Sequence, residues 1–225
     1  MRAYIEMDLQ GNHWALPFVP PGNIFSRPVV FVVNSAAAVI RTAILPDGYK
    51  LNAKTKWEQV QAAFPFGRAI NEQTHLFDGS VYRNADGRAV FCMVALPLEI
   101  SEAITNHGAA IPGGIRKVAA LETMETVLFR HIAAQQTQAA RWMIYPCEHG
   151  IKILIVNKNA PEAVRFLPAG APYLEDALRR TLTEMPPEEV LLPNRSFWGE
   201  TWTQTRADIK RLLATQEINV VSIQL

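Results

Sequence analysis

The chain has 225 residues, of which 49% are hydrophobic, enough to bury a core of its own. Its 22 basic and 21 acidic residues nearly cancel and form no block of one sign, which excludes a nucleic-acid or anionic-lipid binder that works through bulk charge. Two cysteines, Cys92 and Cys147, exclude a secreted disulfide scaffold and suit a reducing cytosol.

Met1 to Leu9 carries Arg2, Glu6 and Asp8 among its apolar residues, so it lacks the unbroken apolar run of a signal peptide. The most apolar stretch, Val29 to Ile40, is interrupted by Asn34 and Ser35 and is shorter than the roughly 20 residues a membrane-crossing helix needs. These features predict a soluble, cytoplasmic protein without direct membrane insertion.

Ala3 to Asp8 and His13 to Phe18 read as strands around Leu9-Gln10-Gly11-Asn12, a hairpin turn. Pro17, Pro20, Pro21 and Pro28 then mark a connector, because proline lacks an amide donor and disfavours a helical predecessor. Val29 to Val33 is a β-branched and aromatic run expected of a strand covered on both faces, followed by a second strand over Val39 to Leu45 and a turn at Pro46-Asp47-Gly48. Thr55 and Glu58 have the spacing of a capping box ahead of Trp57, Val60 and Phe64, which predicts a short helix.

Thr74 to Tyr82 and Arg88 to Leu96 flank Asn84-Ala85-Asp86-Gly87, a strong hairpin signal. Ile100, Ala103, Ile104 and His107 recur at helical spacing before Gly108, read as the residue that ends the helix. A strand over Ile115 to Ala120 and a helix bearing Met124, Val127, Leu128 and Ile132 follow. Trp142 to Tyr145, Ile151 to Asn157 and Ala163 to Phe166 then predict an antiparallel meander. Leu174, Ala177, Leu178 and Leu182 form a helix face that Pro186-Pro187 terminates. Glu189 to Leu192 is a strand, Trp202, Ile209, Leu212 and Leu213 mark a last helix, and Val221, Ile223 and Leu225 alternate as a final strand.

Two successive runs, each a β-meander followed by alternating helices and strands, resemble the layout of actin-like and ribonuclease-H-like proteins. Val29-Val-Phe-Val-Val-Asn34, Arg41-Thr-Ala-Ile-Leu-Pro46 and Ala89-Val-Phe-Cys-Met-Val-Ala95 resemble the pilus assembly protein PilM and the cytoplasmic part of the type II secretion protein GspL. Val118-Ala-Ala-Leu-Glu122, Ile151-Lys-Ile-Leu-Ile-Val156 and Val164-Arg-Phe-Leu-Pro168 continue the likeness over most of the chain. The resemblance implies an α/β fold of two ribonuclease-H-like halves of the actin-like ATPase superfamily, each a mixed sheet with flanking helices. The halves span residues 1–121, with a small insertion near 47–88, and 122–225.

An actin-like ATPase holds phosphates between two hairpins bearing acidic residues and glycines. Here the first hairpin keeps Asp8 and Gly11 at altered spacing, and the second reads Pro146-Cys147-Glu148-His149-Gly150, where Pro146 removes a backbone donor. Leu191-Leu192-Pro193-Asn194 stands where a glycine pair would admit adenine. These departures place the chain toward the GspL-like, non-hydrolysing end of the group, a scaffold or adaptor with no catalytic residues and no cofactor or metal. The implied partner is a membrane-anchored pilus or secretion assembly protein, with an assembly ATPase and a second copy of the chain as further candidates, and peripheral location at the inner membrane through the partner. The competing reading is an actin-like ATP-binding protein with degenerate phosphate loops, holding ATP and magnesium through Asp8.

Other motifs have simpler readings. Cys147-Glu148-His149 is a turn in preference to a metal or thiolate–imidazole site, since adjacent residues rarely converge on one ion. His13, His75, His107 and His131 have no nucleophile elbow to serve and read as structural or surface groups. Pro112-Gly113-Gly114 lacks the lysine of a phosphate loop. Asn194-Arg195-Ser196 has the form of a glycosylation acceptor in a chain with no export signal. Phe197, Trp198 and Trp202 are read as core in preference to interface.

Overall fold

A computed structural model describes residues 3–7, 10, 12–15, 29–46, 70–110, 118–135, 138–169, 174–194 and 198–224. The proline connector, the turn at Asp47-Gly48, the helix expected at 55–64 and the Pro112-Gly113-Gly114 segment lie outside these residues.

The first sheet has the order β2-β1-β3-β7, from β1 (Ala3–Met7), β2 (His13–Ala15), β3 (Val29–Val33) and β7 (Val118–Thr123). β1 and β2 form the expected antiparallel ribbon, whereas β3 runs parallel to both β1 and β7. All five β3 residues are buried, as its uninterrupted apolar run requires of a strand with both faces covered. On one face Phe31, Val29 and Val33 meet Ile5, Met7 and the Ile100 and Ile104 side of helix α1 (Leu98–Ala109). On the other, Val32 enters a second core beneath helix α2 (Met124–Ala133).

Gly108 was expected to end α1 by adopting a left-handed conformation, but it sits in the last turn, and the C-cap is Ala110 in right-handed geometry. Its role is steric. A Cβ built on Gly108 would stand 2.4 Å from the Phe31 ring, so the missing side chain is what lets α1 lie on β3.

β4 (Val39–Ile44), β5 (His75–Arg83) and β6 (Ala89–Pro97) form a separate antiparallel sheet in the order β4-β6-β5. The hairpin between β5 and β6 is closed by Asn84 to Gly87, with Gly87 at φ +79° and its amide on Asn84 O at 2.9 Å. Phe91, Met93 and Ala95 of central β6 pack with Leu45 into a small core. β6 then runs directly into α1.

The third sheet has five strands in the order β10-β9-β8-β11-β12: β8 (Arg141–Cys147), β9 (Gly150–Asn157), β10 (Ala160–Pro168), β11 (Glu189–Pro193) and β12 (Asn219–Ile223). The predicted meander is present, β9 being antiparallel to β8 and β10, while β8, β11 and β12 run parallel. Lys158 and Asn159 both have positive φ, the requirement of a two-residue I′ turn. Helices α3 (Leu174–Glu184) and α4 (Gly199–Ala214) cover one face through Leu178, Leu182, Trp202, Ile209 and Leu213. The other face, through Met143, Tyr145, Leu154 and Leu191, packs on α2 and Val32. Helix α2 is thereby shared between the first sheet and the five-stranded one. Trp202 is core, 3% exposed, with its indole N–H on Pro193 O at 3.2 Å. Trp198 is half-buried against it, edge to face, at a centroid distance of 5.9 Å.

Candidate functional site

Two places gather chemistry, one sealed and one open. The sealed one lies where the loop after β3 meets the β8–β9 hairpin. Lys152 of β9 and Glu125 of α2 are each 1% exposed and pair at 2.5 Å. The Lys152 ammonium also donates to Ser35 O at 2.6 Å and to Ala38 O at 3.4 Å, so its three protons meet three acceptors. Removing both charges from water is costly, and the lysine's three contacts offset part of that cost, while Glu125 Oε2 is left without a hydrogen-bond partner among the described residues. Beside it, Asn34 Nδ2 donates to Pro146 O at 2.9 Å and to Glu6 Oε1 at 3.3 Å. Ser35 Oγ donates to Glu148 Oε2 at 3.0 Å, and Trp198 Nε1 donates to Glu6 Oε1 at 3.4 Å.

The hairpin read in the sequence as the counterpart of a phosphate-binding turn is thus bonded to protein groups: Pro146 through its carbonyl and Glu148 through its carboxylate. Asp8 and Gly11, the other hairpin's candidates, lie outside the described residues. Sequence reasoning passed over Lys152 and Glu125. The available signal was a lysine at the second position of Ile151-Lys-Ile-Leu-Ile-Val156, a charge inside an apolar run that must find a buried partner.

Cys147, Glu148 and His149 do not converge on one point. His149 is exposed at φ +63° in the turn, and among the described residues no three His, Cys, Asp or Glu side chains form a metal-binding group. Burial pushes the Cys147 thiol up to about 12, with the Lys152 charge opposing and the Glu125 and Glu148 carboxylates adding to the rise. Burial, reinforced by Glu125, does the same to the Cys92 thiol, also to about 12, and raises the Tyr145 phenol well above its ordinary value. Neither cysteine carries appreciable thiolate near neutrality, and the thiolate is the reactive form. Iodoacetamide at pH 8 is therefore expected to label both cysteines at least tenfold more slowly in the native chain than in urea, read by mass spectrometry. Rapid native labelling of Cys147, which is half-buried, would contradict the raised thiol.

The histidines are dispersed. His75 lies on β5, with Nδ1 2.8 Å from Thr74 Oγ1, His107 on α1 and His131 on α2. Burial lowers the imidazole of His75, against an opposing pull from Glu99, and lowers that of His131.

The open place is a groove of about 570 Å³ between β5 and β7. Each of these strands is the outermost of its sheet, so two sheet edges line one cleft. Leu76, Val94, Leu96 and Leu121 supply its apolar wall, and Leu76 is 45% exposed. At the rim Arg130 of α2 forms a two-pronged ion pair with Glu122 of β7. Gly79 of β5 leaves room for the Phe91 ring of β6, since a Cβ there would stand 2.5 Å from that ring. Apolar lining, polar rim and strand edges suit an extended polypeptide better than a small polar metabolite.

No family model and no curated protein sequence matches the chain. Solved structures do. A protein with an actin-like ATPase fold and unknown function from Bacteroides thetaiotaomicron matches 99% of this chain and 90% of its own, with 10% identity and a TM-score of 0.56. The PilM–PilN type IV pilus biogenesis complex matches 88% of this chain and 69% of the other, with 14% identity and a TM-score of 0.60. The cytoplasmic domain of EpsL, an inner membrane component of the type II secretion system of Vibrio cholerae, matches 85% and 81%, with 11% identity and a TM-score of 0.50. At these identities the likeness establishes the fold. The chain has an actin-like α/β fold, and the resemblance to PilM and GspL-like proteins read from short apolar strings holds in three dimensions. Among the described residues no helix is long and apolar enough to cross a membrane.

Proposed function

We propose that this chain is a non-catalytic scaffold of a pilus or type II secretion assembly, which takes an extended segment of a membrane-anchored partner into the groove between β5 and β7. The observation that carries the reading is the convergence of two outermost strands on one apolar-lined cleft, where an incoming strand can bond to backbone on either side. The fold likeness to a protein solved as PilM–PilN, and to an inner-membrane secretion component, supports the assembly setting. The buried Glu125–Lys152 pair supports the non-catalytic part, because protein groups engage the hairpin that a nucleotide-binding relative would keep for phosphate.

In this reading residues 1–121 and 122–225 are two ribonuclease-H-like halves. The order β10-β9-β8-β11-β12, with β9 alone antiparallel to the parallel core, supports that assignment for the second half. The first sheet has the corresponding ribbon and two parallel strands, and β4, β5 and β6 are inserted between β3 and β7. The partner holds the chain at the cytoplasmic face of the inner membrane.

The test uses fluorescent peptides tiling the cytoplasmic ends of the membrane-anchored assembly proteins of the same organism, with anisotropy as the readout. One peptide is expected to bind, and Leu76→Asp to weaken it at least tenfold without lowering Tm, because Leu76 is a surface residue. Binding of no peptide, or equal binding by Leu76→Asp, would contradict the assignment. Mg-ATP serves as the competing ligand: a rise in Tm at millimolar nucleotide would favour the ATP-binding alternative.

A further inference from the structure

A second open surface lies at one edge of the five-stranded sheet, a different sheet from the two whose strands β5 and β7 line the docking groove. β10 is the outermost strand on that side, and among the described residues no strand pairs with its far edge. The amide of Ala169, one residue past β10, donates to His149 O at 2.6 Å, so odd-numbered residues here face β9. By the alternation of an antiparallel ladder, the backbone groups of Val164 and Phe166 point outward. The carbonyl of Glu162, also outward, accepts from the Thr42 hydroxyl of β4, which closes the edge at its start. Beyond that contact the edge borders a cavity of about 730 Å³ walled by α3 and Arg41.

Three arginines line this cavity, Arg41, Arg165 and Arg180, against one carboxylate, Asp176. Arg165 is bound to Glu184 at 2.7 Å, whereas Arg41 and Arg180 are exposed and make no ion pair among the described residues. Phe166 is 39% exposed at the same edge, an aromatic surface on a strand with outward donors and acceptors. Natural edge strands are usually blunted by charge on the strand itself or by a covering element. Here the two arginines without an ion pair, Arg41 and Arg180, outnumber the one carboxylate of the lining, Asp176, a small positive excess that favours an acidic strand.

We infer that the β10 edge is a second docking site, which takes an acidic, extended segment of a partner protein as an added strand, its carboxylates held by Arg41 and Arg180. A strand is favoured over a membrane surface because the outward backbone groups lie along a cleft between a strand edge and a helix, which a flat bilayer cannot enter.

The probe is a labelled eight-residue peptide of alternating Glu and Val, compared with its Lys-Val counterpart and with a Glu-Val peptide N-methylated at alternate amides. Anisotropy in 0.15 M salt should show the Glu-Val peptide binding at least tenfold more tightly than either control. Arg41→Glu/Arg180→Glu, at two exposed sites, should remove that preference while leaving Tm and binding at the β5–β7 groove intact. Hydrogen exchange should slow at the Val164 and Phe166 amides on binding. No binding at millimolar peptide, equal binding of the Lys-Val or N-methylated peptide, or a double variant that binds normally would overturn the inference. So would arginine-dependent binding to phosphatidylglycerol vesicles that outcompetes the peptide, since the surface would then be a lipid contact.

Discussion

Lys152→Met is expected to cost about 3–5 kcal/mol of unfolding free energy, because it leaves the Glu125 carboxylate buried without its counter-charge. Lys152 is fully enclosed, and its three contacts reach α2 and the loop after β3 at once, so the loss falls on the joint between the first sheet and the five-stranded one. The double variant Lys152→Met/Glu125→Leu separates charge from packing. Replacing a whole buried pair by apolar residues of similar size is often neutral or stabilising, so the double variant should recover most of the loss. Its recovery stays incomplete, since the carbonyls of Ser35 and Ala38 lose their donor. Urea unfolding midpoints at neutral pH decide the matter. A single variant within 1 kcal/mol of the parent, or a double variant worse than the single, would show that the pair does not bind the joint.

Deleting 218–225 should have a comparable or larger effect. β12 pairs in parallel register with β11 from Glu189↔Asn219 to Pro193↔Ile223, and the Asn194 amide donates to Ile223 O at 2.7 Å. Its side chains serve both cores: Val221 and Ile223 pack with the α2 cluster, and Val220, with Ile218 just before the strand, packs with the α3–α4 cluster. Ser222 accepts from Arg206 at 2.7 Å and from Lys210 at 3.0 Å, which fastens the strand to α4. Removal leaves the β11 edge unpaired and both cores open on one side, the condition for aggregation. The truncated chain is expected in the insoluble fraction, and Val221→Asp in the intact chain should lower Tm by several degrees. Soluble truncated protein with an unchanged midpoint would contradict the packing described for β12.

Local patterns carried much of the fold. The β-branched run of Val29–Val33 predicted a strand buried on both faces, and the Asp86-Gly87 signal predicted the β5–β6 hairpin. The order of sheets was less legible. Val39 to Leu45 follows Val33 closely in sequence, yet β4 joins β6 in another sheet because its exposed and half-buried residues do not suit the fully buried environment of β3. Gly108 misled for a related reason: a glycine near a helix end reads as a cap, and only the position of the Phe31 ring reveals the packing demand. At the turn, His149 reads as chemically idle, but its positive φ means that glycine, not alanine, is the unstrained replacement there.

The sites were least legible, since they are made of long-range proximity. Glu125 and Lys152 are 27 residues apart, and Ser35 is 117 residues from Lys152, so no spacing rule joins them. The groove depends on two strands from different sheets lying side by side. Each strand was visible in the sequence, but their shared cleft was not.

The central claim, that a partner segment docks as a strand between β5 and β7, is tested most directly by hydrogen exchange on the full chain with and without the bound partner peptide. Protection is expected to rise in 76–80 and 120–123 together, with the β8–β9 turn at 148–149 unchanged. Protection confined to the β8–β9 turn, or absent from both strands while the peptide is bound, would contradict the account.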